Sequence, residues 1–85
     1  MQNFKYVIKD ELGIHARPAG MLVKAAKALD SKVTLNANGK SADATRLMAI
    51  MSMGVKKDCE VEVSVEGGDE AASLEAMKKF FEENL

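Results

Sequence analysis

Residues Glu60 to Glu66 read Glu-Val-Glu-Val-Ser-Val-Glu, a valine at every second position with a polar side chain between. Successive side chains of a strand point to opposite faces. This segment therefore builds a strand with one apolar face and one charged face, which suits a sheet covered on one side only. The same two-residue period recurs elsewhere. Phe4, Tyr6 and Ile8 alternate with Lys5, Val7 and Lys9, and Val33, Leu35 and Ala37 alternate with polar residues. Asn38-Gly39 is a strong hairpin signal, so Lys40 to Asp43 is read as a short third strand antiparallel to the second.

Between these strands the period changes to that of a helix. Ala19, Leu22, Val23, Ala26 and Leu29 share one face from Ala16 onward, with Lys24 and Lys27 opposite. Leu47, Ile50 and Met51 predict a short second helix, with Thr45 as its expected cap and Gly54 as its stop. Gly67-Gly68 ends the fourth strand. Asp69 is placed to cap a last helix striped by Leu74, Met77 and Phe81. The order is β-α-β-β-α-β-α, an α+β two-layer arrangement, and 85 residues suit a single domain spanning 1–85.

The bulk numbers exclude several functions. A formal net charge of -1 lacks the basic excess that nucleic-acid binding needs. No apolar run approaches the roughly 20 residues of a membrane span, and the opening Met-Gln-Asn-Phe-Lys-Tyr has no apolar secretion segment, so a cytoplasmic location is expected. Cys59 is the only cysteine and His15 the only histidine, so neither an internal disulfide nor a standard structural zinc site is available. No metal and no cofactor is expected. Cys59 reads as a small, partly buried packing residue.

His15 lies in Gly-Ile-His-Ala-Arg-Pro-Ala, Gly13 to Ala19. Pro18 is tolerable only in a first helical turn, which places His15 at or beside the N-cap. A lone histidine is ordinarily a surface or capping residue. Here, however, histidine is a poorer cap than Ser, Thr, Asp or Asn, and Arg17 opposes the positive end of the helix dipole. Both choices become favourable once an anion is added. Helix starts present free N–H groups to phosphate. A neutral imidazole has a lone pair near physiological pH and can attack a phosphoryl donor in line. The adduct carries about two negative charges by analogy with other phosphorylated side chains. The backbone N–H of Ala16 and of Arg17, with the Arg17 guanidinium, are positioned to hold its oxygens.

No second histidine, Walker-type loop or recognisable Ser, Thr or Cys nucleophile motif is present. The chain reads as a phosphoryl carrier consumed and regenerated by other proteins rather than a stand-alone enzyme. Basic residues follow the histidine (Arg17, Lys24, Lys27) and flank the second helix (Arg46, Lys56, Lys57). If the two groups meet in space, an acidic partner surface is implied.

With these motifs in hand the chain resembles the histidine-containing phosphocarrier protein (HPr) family of the bacterial phosphoenolpyruvate:sugar phosphotransferase system. Gly13 to Ala19 is similar to that family's active-site motif. Asn-Gly-Lys-Ser at Asn38 to Ser41 and Met-Ser-Met-Gly at Met51 to Gly54 are similar to its second signature region. The likeness covers essentially the whole chain. It implies an open-faced β-sandwich, a four-stranded antiparallel sheet with three helices on one face. It implies that His15 takes phosphate on Nδ1 from phosphorylated enzyme I and gives it to the IIA components of sugar permeases. Arg17 would bind the phosphate and Pro18 would shape the first turn. Docking would use an apolar patch of Ala16, Gly20, Leu47, Met48 and Met51, with Gly20 allowing close approach, and a monomer is expected.

Helical spacing puts Leu47 and Met51 on the same face as Ile50, so core and interface stay open for both, while Met48 lies off that stripe and is expected at the interface. Two positions depart from the family. Many relatives carry a phosphorylatable serine where this chain has Arg46, so no seryl regulation is expected there. Relatives often carry a small polar residue where this chain has Leu12, so the loop is expected to hold the ring differently. A purely regulatory binding module is the leading rival, and the presence of His15 weighs against it. Service to a nitrogen or fructose branch, and modification of Thr45 or Ser52, are left open by the sequence.

Overall fold

The computed structural model describes all residues, 1–85. Its elements run β1 (Gln2–Val7), α1 (Ala16–Lys27), β2 (Lys32–Ala37), β3 (Lys40–Asp43), α2 (Leu47–Ser52), β4 (Glu60–Glu66) and α3 (Glu70–Asn84). This is the order read from the residue periods. The strands form one antiparallel sheet in the order β1-β4-β2-β3.

The valine alternation does what its period demands. Val61, Val63 and Val65 are all fully buried. Register places Val63 between Phe4 of β1 and Leu35 of β2, and Val65 beside Val33. Leu35 in turn pairs with Ala42 on β3. The polar positions, such as Glu62, Ser64, Thr34 and Asn36, lie on the other face, which no helix covers. The three helices close the apolar face and contribute Leu22, Ala26, Ile50, Met77 and Phe81 to the core. Phe81 is the largest fully buried side chain, and Phe4, Tyr6 and Phe80 meet its ring edge-on at centroid distances of 5.9, 5.6 and 6.1 Å.

The turns follow their chemistry. Asn38 and Gly39 both take positive φ (55° and 74°), as a tight hairpin turn of the I′ type requires. Asp69 caps α3 by accepting the Ala72 N–H at 3.1 Å. Gly54, at φ 65°, stops α2. Thr45 does not cap α2. The N-cap is Arg46, which makes no side-chain cap bond. Thr45 is drawn back instead. Its hydroxyl and its N–H both donate to Asp43 Oδ1, at 2.6 and 2.9 Å. These two bonds hold the Asp43 carboxyl below the usual carboxylate range, helped by the charges of Lys32 and Arg46. A local side-chain bond has outcompeted the helix terminus for the threonine.

Candidate functional site

The loop between β1 and α1 delivers His15, and three sets of backbone bonds fix that loop. Ile8 exchanges bonds with the β4 approach, its N–H donating to Cys59 O and its carbonyl accepting from Asp58. The N–H groups of Lys9 and Asp10 both donate to the main-chain oxygen of Leu85, at 2.6 and 2.9 Å. Ile14 N–H donates to Val55 O at 3.1 Å, which ties the loop to the segment following α2. Gly13 makes that approach possible. It has φ 67°, and a Cβ there would overlap the Val55 carbonyl and lie 2.6 Å from Lys56 Cα. The glycine of the histidine motif is thus required twice over, by conformation and by space.

His15 is the N-cap of α1, in extended backbone (φ -97°, ψ -175°), and its side chain makes no cap hydrogen bond. The imidazole is half-exposed. The first intrahelical bond runs from Ala19 N–H to His15 O at 3.0 Å. Pro18 has no N–H, so the unpaired donors of this terminus are the amides of Ala16 and Arg17. No acidic residue lies in the first turn. The only ion pair of the molecule joins the N-terminal amine to Glu70, at 3.0 Å. The Arg17 guanidinium, exposed, is therefore free to meet an added anion.

His15, Arg17 and Pro18 share an open cleft of about 300 Å³ with Asp10, Met21 and Asn84. The last three were not singled out from sequence. Asn84 arrives from the end of α3, Asp10 from the loop after β1 and Met21 from the second turn of α1, so the cleft exists only once the helices have packed.

The docking-patch residues lie on α1 and α2, which pack on one another. Ala16 is exposed, and Gly20 is half-buried with open space where a Cβ would stand. On α2 the spacing that left core and surface undecided is resolved by burial. Ile50 is fully buried, whereas Leu47 and Met51 are each 39% exposed and Met48 is 77% exposed. Leu12, in the histidine loop, is 70% exposed, and its N–H donates to Asp10 Oδ1 at 2.9 Å. Arg17, Lys24, Lys27 and Arg46 are all exposed. Cys59 is half-buried, its thiol 3.5 Å from Asn38 Oδ1. No group of three His, Cys, Asp or Glu residues is placed to hold a metal ion. No helix is long and apolar enough to cross a membrane.

The family described as the PTS HPr component phosphorylation site matches residues 2–83. The chain belongs to the HPr family. Among solved HPr structures, one from Thermoanaerobacter tengcongensis is 34% identical, superposes with a TM-score of 0.90, and the match covers 96% of this chain and 92% of that one. A Mycoplasma histidine-containing phosphocarrier protein is 33% identical, with a TM-score of 0.89 over 93% and 90% of the two chains. An HPr dimer from Thermoanaerobacter tengcongensis also matches, at 34% identity and a TM-score of 0.76, covering 98% and 95%. Fold and family agree with the open-faced sheet and with a phosphocarrier role in the phosphotransferase system.

Proposed function

We propose that residues 1–85 act as one HPr domain in which His15 is the phosphorylated residue. The observation that carries this reading is an unbonded, half-exposed imidazole at the start of α1, beside two unpaired amides and an arginine without an acidic partner. In the tautomer with its proton on Nε2, the Nδ1 lone pair attacks the phosphorus held by phosphorylated enzyme I. The donor's bond to phosphorus breaks and its electron pair returns to the donor. The new P–Nδ1 bond leaves a dianionic group that the Ala16 and Arg17 amides and the Arg17 guanidinium hold. Pro18 fixes the first-turn geometry that aims those amides. Transfer onward to a IIA domain reverses the same steps.

Ala16, Gly20, Leu47, Met48 and Met51 form the docking patch in this reading. Exposed methionine adapts to more than one partner shape. The exposed Arg17 of α1 and Arg46 at the start of α2 favour acidic partners through long-range attraction. Arg46 carries no hydroxyl, so that position offers no regulatory phosphoacceptor. The working form is a cytoplasmic monomer. The bonds that pin Ile8, Lys9 and Asp10 support retention of β1 by its own sheet. Size-exclusion chromatography with light scattering tests the monomer.

The function is tested by incubating the chain with enzyme I and phosphoenolpyruvate. The expected product is an acid-labile, base-stable phosphoryl adduct that His15→Ala abolishes. Labelling that persists in His15→Ala overturns the assignment.

A further inference from the structure

The cleft that holds His15 and Arg17 contains one anionic side chain, Asp10. Its carboxylate is not free to swing away. Oδ1 accepts the Leu12 N–H at 2.9 Å, and the residue's own N–H is tied to Leu85 O at 2.9 Å, so both ends of the residue are fixed. Nor is its charge cancelled, because it pairs with no Lys or Arg, and Arg17 has no acidic partner either. A turn of this kind needs an acceptor oxygen, which an asparagine also supplies, though the carboxylate makes the stronger bond. The turn can form without the formal charge of Asp10, and that charge, unpaired by any cation, also acts on whatever enters the cleft.

We infer that Asp10 sets how readily the phosphoryl group leaves: its fixed carboxylate repels the dianionic adduct on His15 and so raises the transfer potential of the phosphorylated protein. This rests on the proposed phosphorylation of His15 and adds a residue that acts on it through charge. Arg17 and the two amides attract the adduct, while Asp10 opposes them from the same cleft. The balance keeps the bound state from becoming a trap. When the group moves on, the P–Nδ1 bond breaks, its electron pair returns to the imidazole and the phosphoryl group bonds to the acceptor's nucleophile, a IIA histidine nitrogen or water. Removing the repulsion stabilises the reactant and leaves the chemistry of the step unchanged.

The test compares the wild-type chain with Asp10→Asn, which keeps the turn oxygen and removes the charge. Enzyme I, phosphoenolpyruvate and pyruvate are brought to equilibrium with each, and the ratio of phosphorylated to free carrier is read by native gel or phosphorus NMR. Two point charges on the adduct and one on Asp10, across a wet cleft, predict a shift on the order of three- to tenfold toward the phosphorylated form. The shift should shrink as salt is raised. Hydrolysis of the isolated adduct should slow in the same direction. An unchanged or reversed ratio, with melting temperature preserved, overturns the inference. A shift that ignores salt overturns it as well, since it would then come from altered loop geometry. Failure of the underlying site assignment is separately visible, because the wild-type chain would then be labelled elsewhere than His15.

Discussion

Gly13→Ala isolates the force that aims the histidine loop, and its cost can be worked from the structure. The residue has φ 67°, where an L side chain costs roughly 1–2 kcal/mol. The new methyl would also overlap the Val55 carbonyl and stand 2.6 Å from Lys56 Cα, against 3.4–4 Å for ordinary contact. Both obstacles are backbone, so the two loops must part by about 1 Å, which adds roughly 1–3 kcal/mol of overpacking strain and a weakened Ile14–Val55 bond. The sum, about 3 kcal/mol, is a large share of the roughly 4–13 kcal/mol expected of a chain this size. At about 4–8 °C per kcal/mol, melting should fall by roughly 12–25 °C. Gly39→Ala is the control. It has φ 74° and nothing within 4 Å of the added carbon, so only the conformational cost applies. Thermal unfolding by circular dichroism, with amide spectra of Ile14, His15 and Val55, reads both. Equal losses in the two variants would refute the steric reasoning, as would unmoved resonances around His15 in Gly13→Ala.

Further outcomes follow from other contacts. Met48→Ala should leave melting within about 0.5 kcal/mol, because the side chain is 77% exposed, yet weaken docking to enzyme I or a IIA domain by roughly tenfold, read by calorimetric titration. Arg17→Glu should slow phosphotransfer by orders of magnitude with little change in folding, since the guanidinium makes no ion pair in the free protein; parallel loss of melting temperature and activity would count against it. The exposed Arg17, Lys24, Lys27 and Arg46 predict that association with an acidic partner slows as ionic strength rises, checked by stopped-flow rates. Asp43 has a lowered folded-state value, so its carboxylate adds stability that is present above the ordinary carboxylate range and lost as pH falls through the lowered value. Thr45→Ala should therefore melt below wild type at about pH 7, with the gap closing as pH falls below the ordinary carboxylate range, and a gap independent of pH would contradict the Asp43 contacts.

The strands, the hairpin and the start of α1 were legible because each rests on a local rule. Val61, Val63 and Val65 need only the two-residue pleat, Asn38-Gly39 needs only positive φ, and Pro18 needs only a missing N–H. The α2 cap was misread because Thr45, a good capping residue, had a nearer acceptor in Asp43. Leu47 and Met51 were undecidable from spacing, since α2 has six residues and one turn can roll either side toward solvent. Burial of Ile50 alone decided the roll. The walls of the His15 cleft were the least legible part. Asp10, Met21 and Asn84 come from three separate segments, and only tertiary packing brings them together. The steric role of Gly13 was hidden for the same reason, because the carbonyl it makes room for lies 42 positions along the chain, at Val55.

The central claim is that one imidazole at the beginning of α1 carries the phosphoryl group. Phosphorus NMR of the chain after reaction with enzyme I and phosphoenolpyruvate, with nitrogen labelling of the His15 ring, tests it most directly. The account predicts a single phosphoramidate resonance coupled to Nδ1, accompanied by shifts of the Ala16 and Arg17 amide protons. A phosphoryl resonance coupled to no ring nitrogen, or Ala16 and Arg17 amides that do not move, would contradict it.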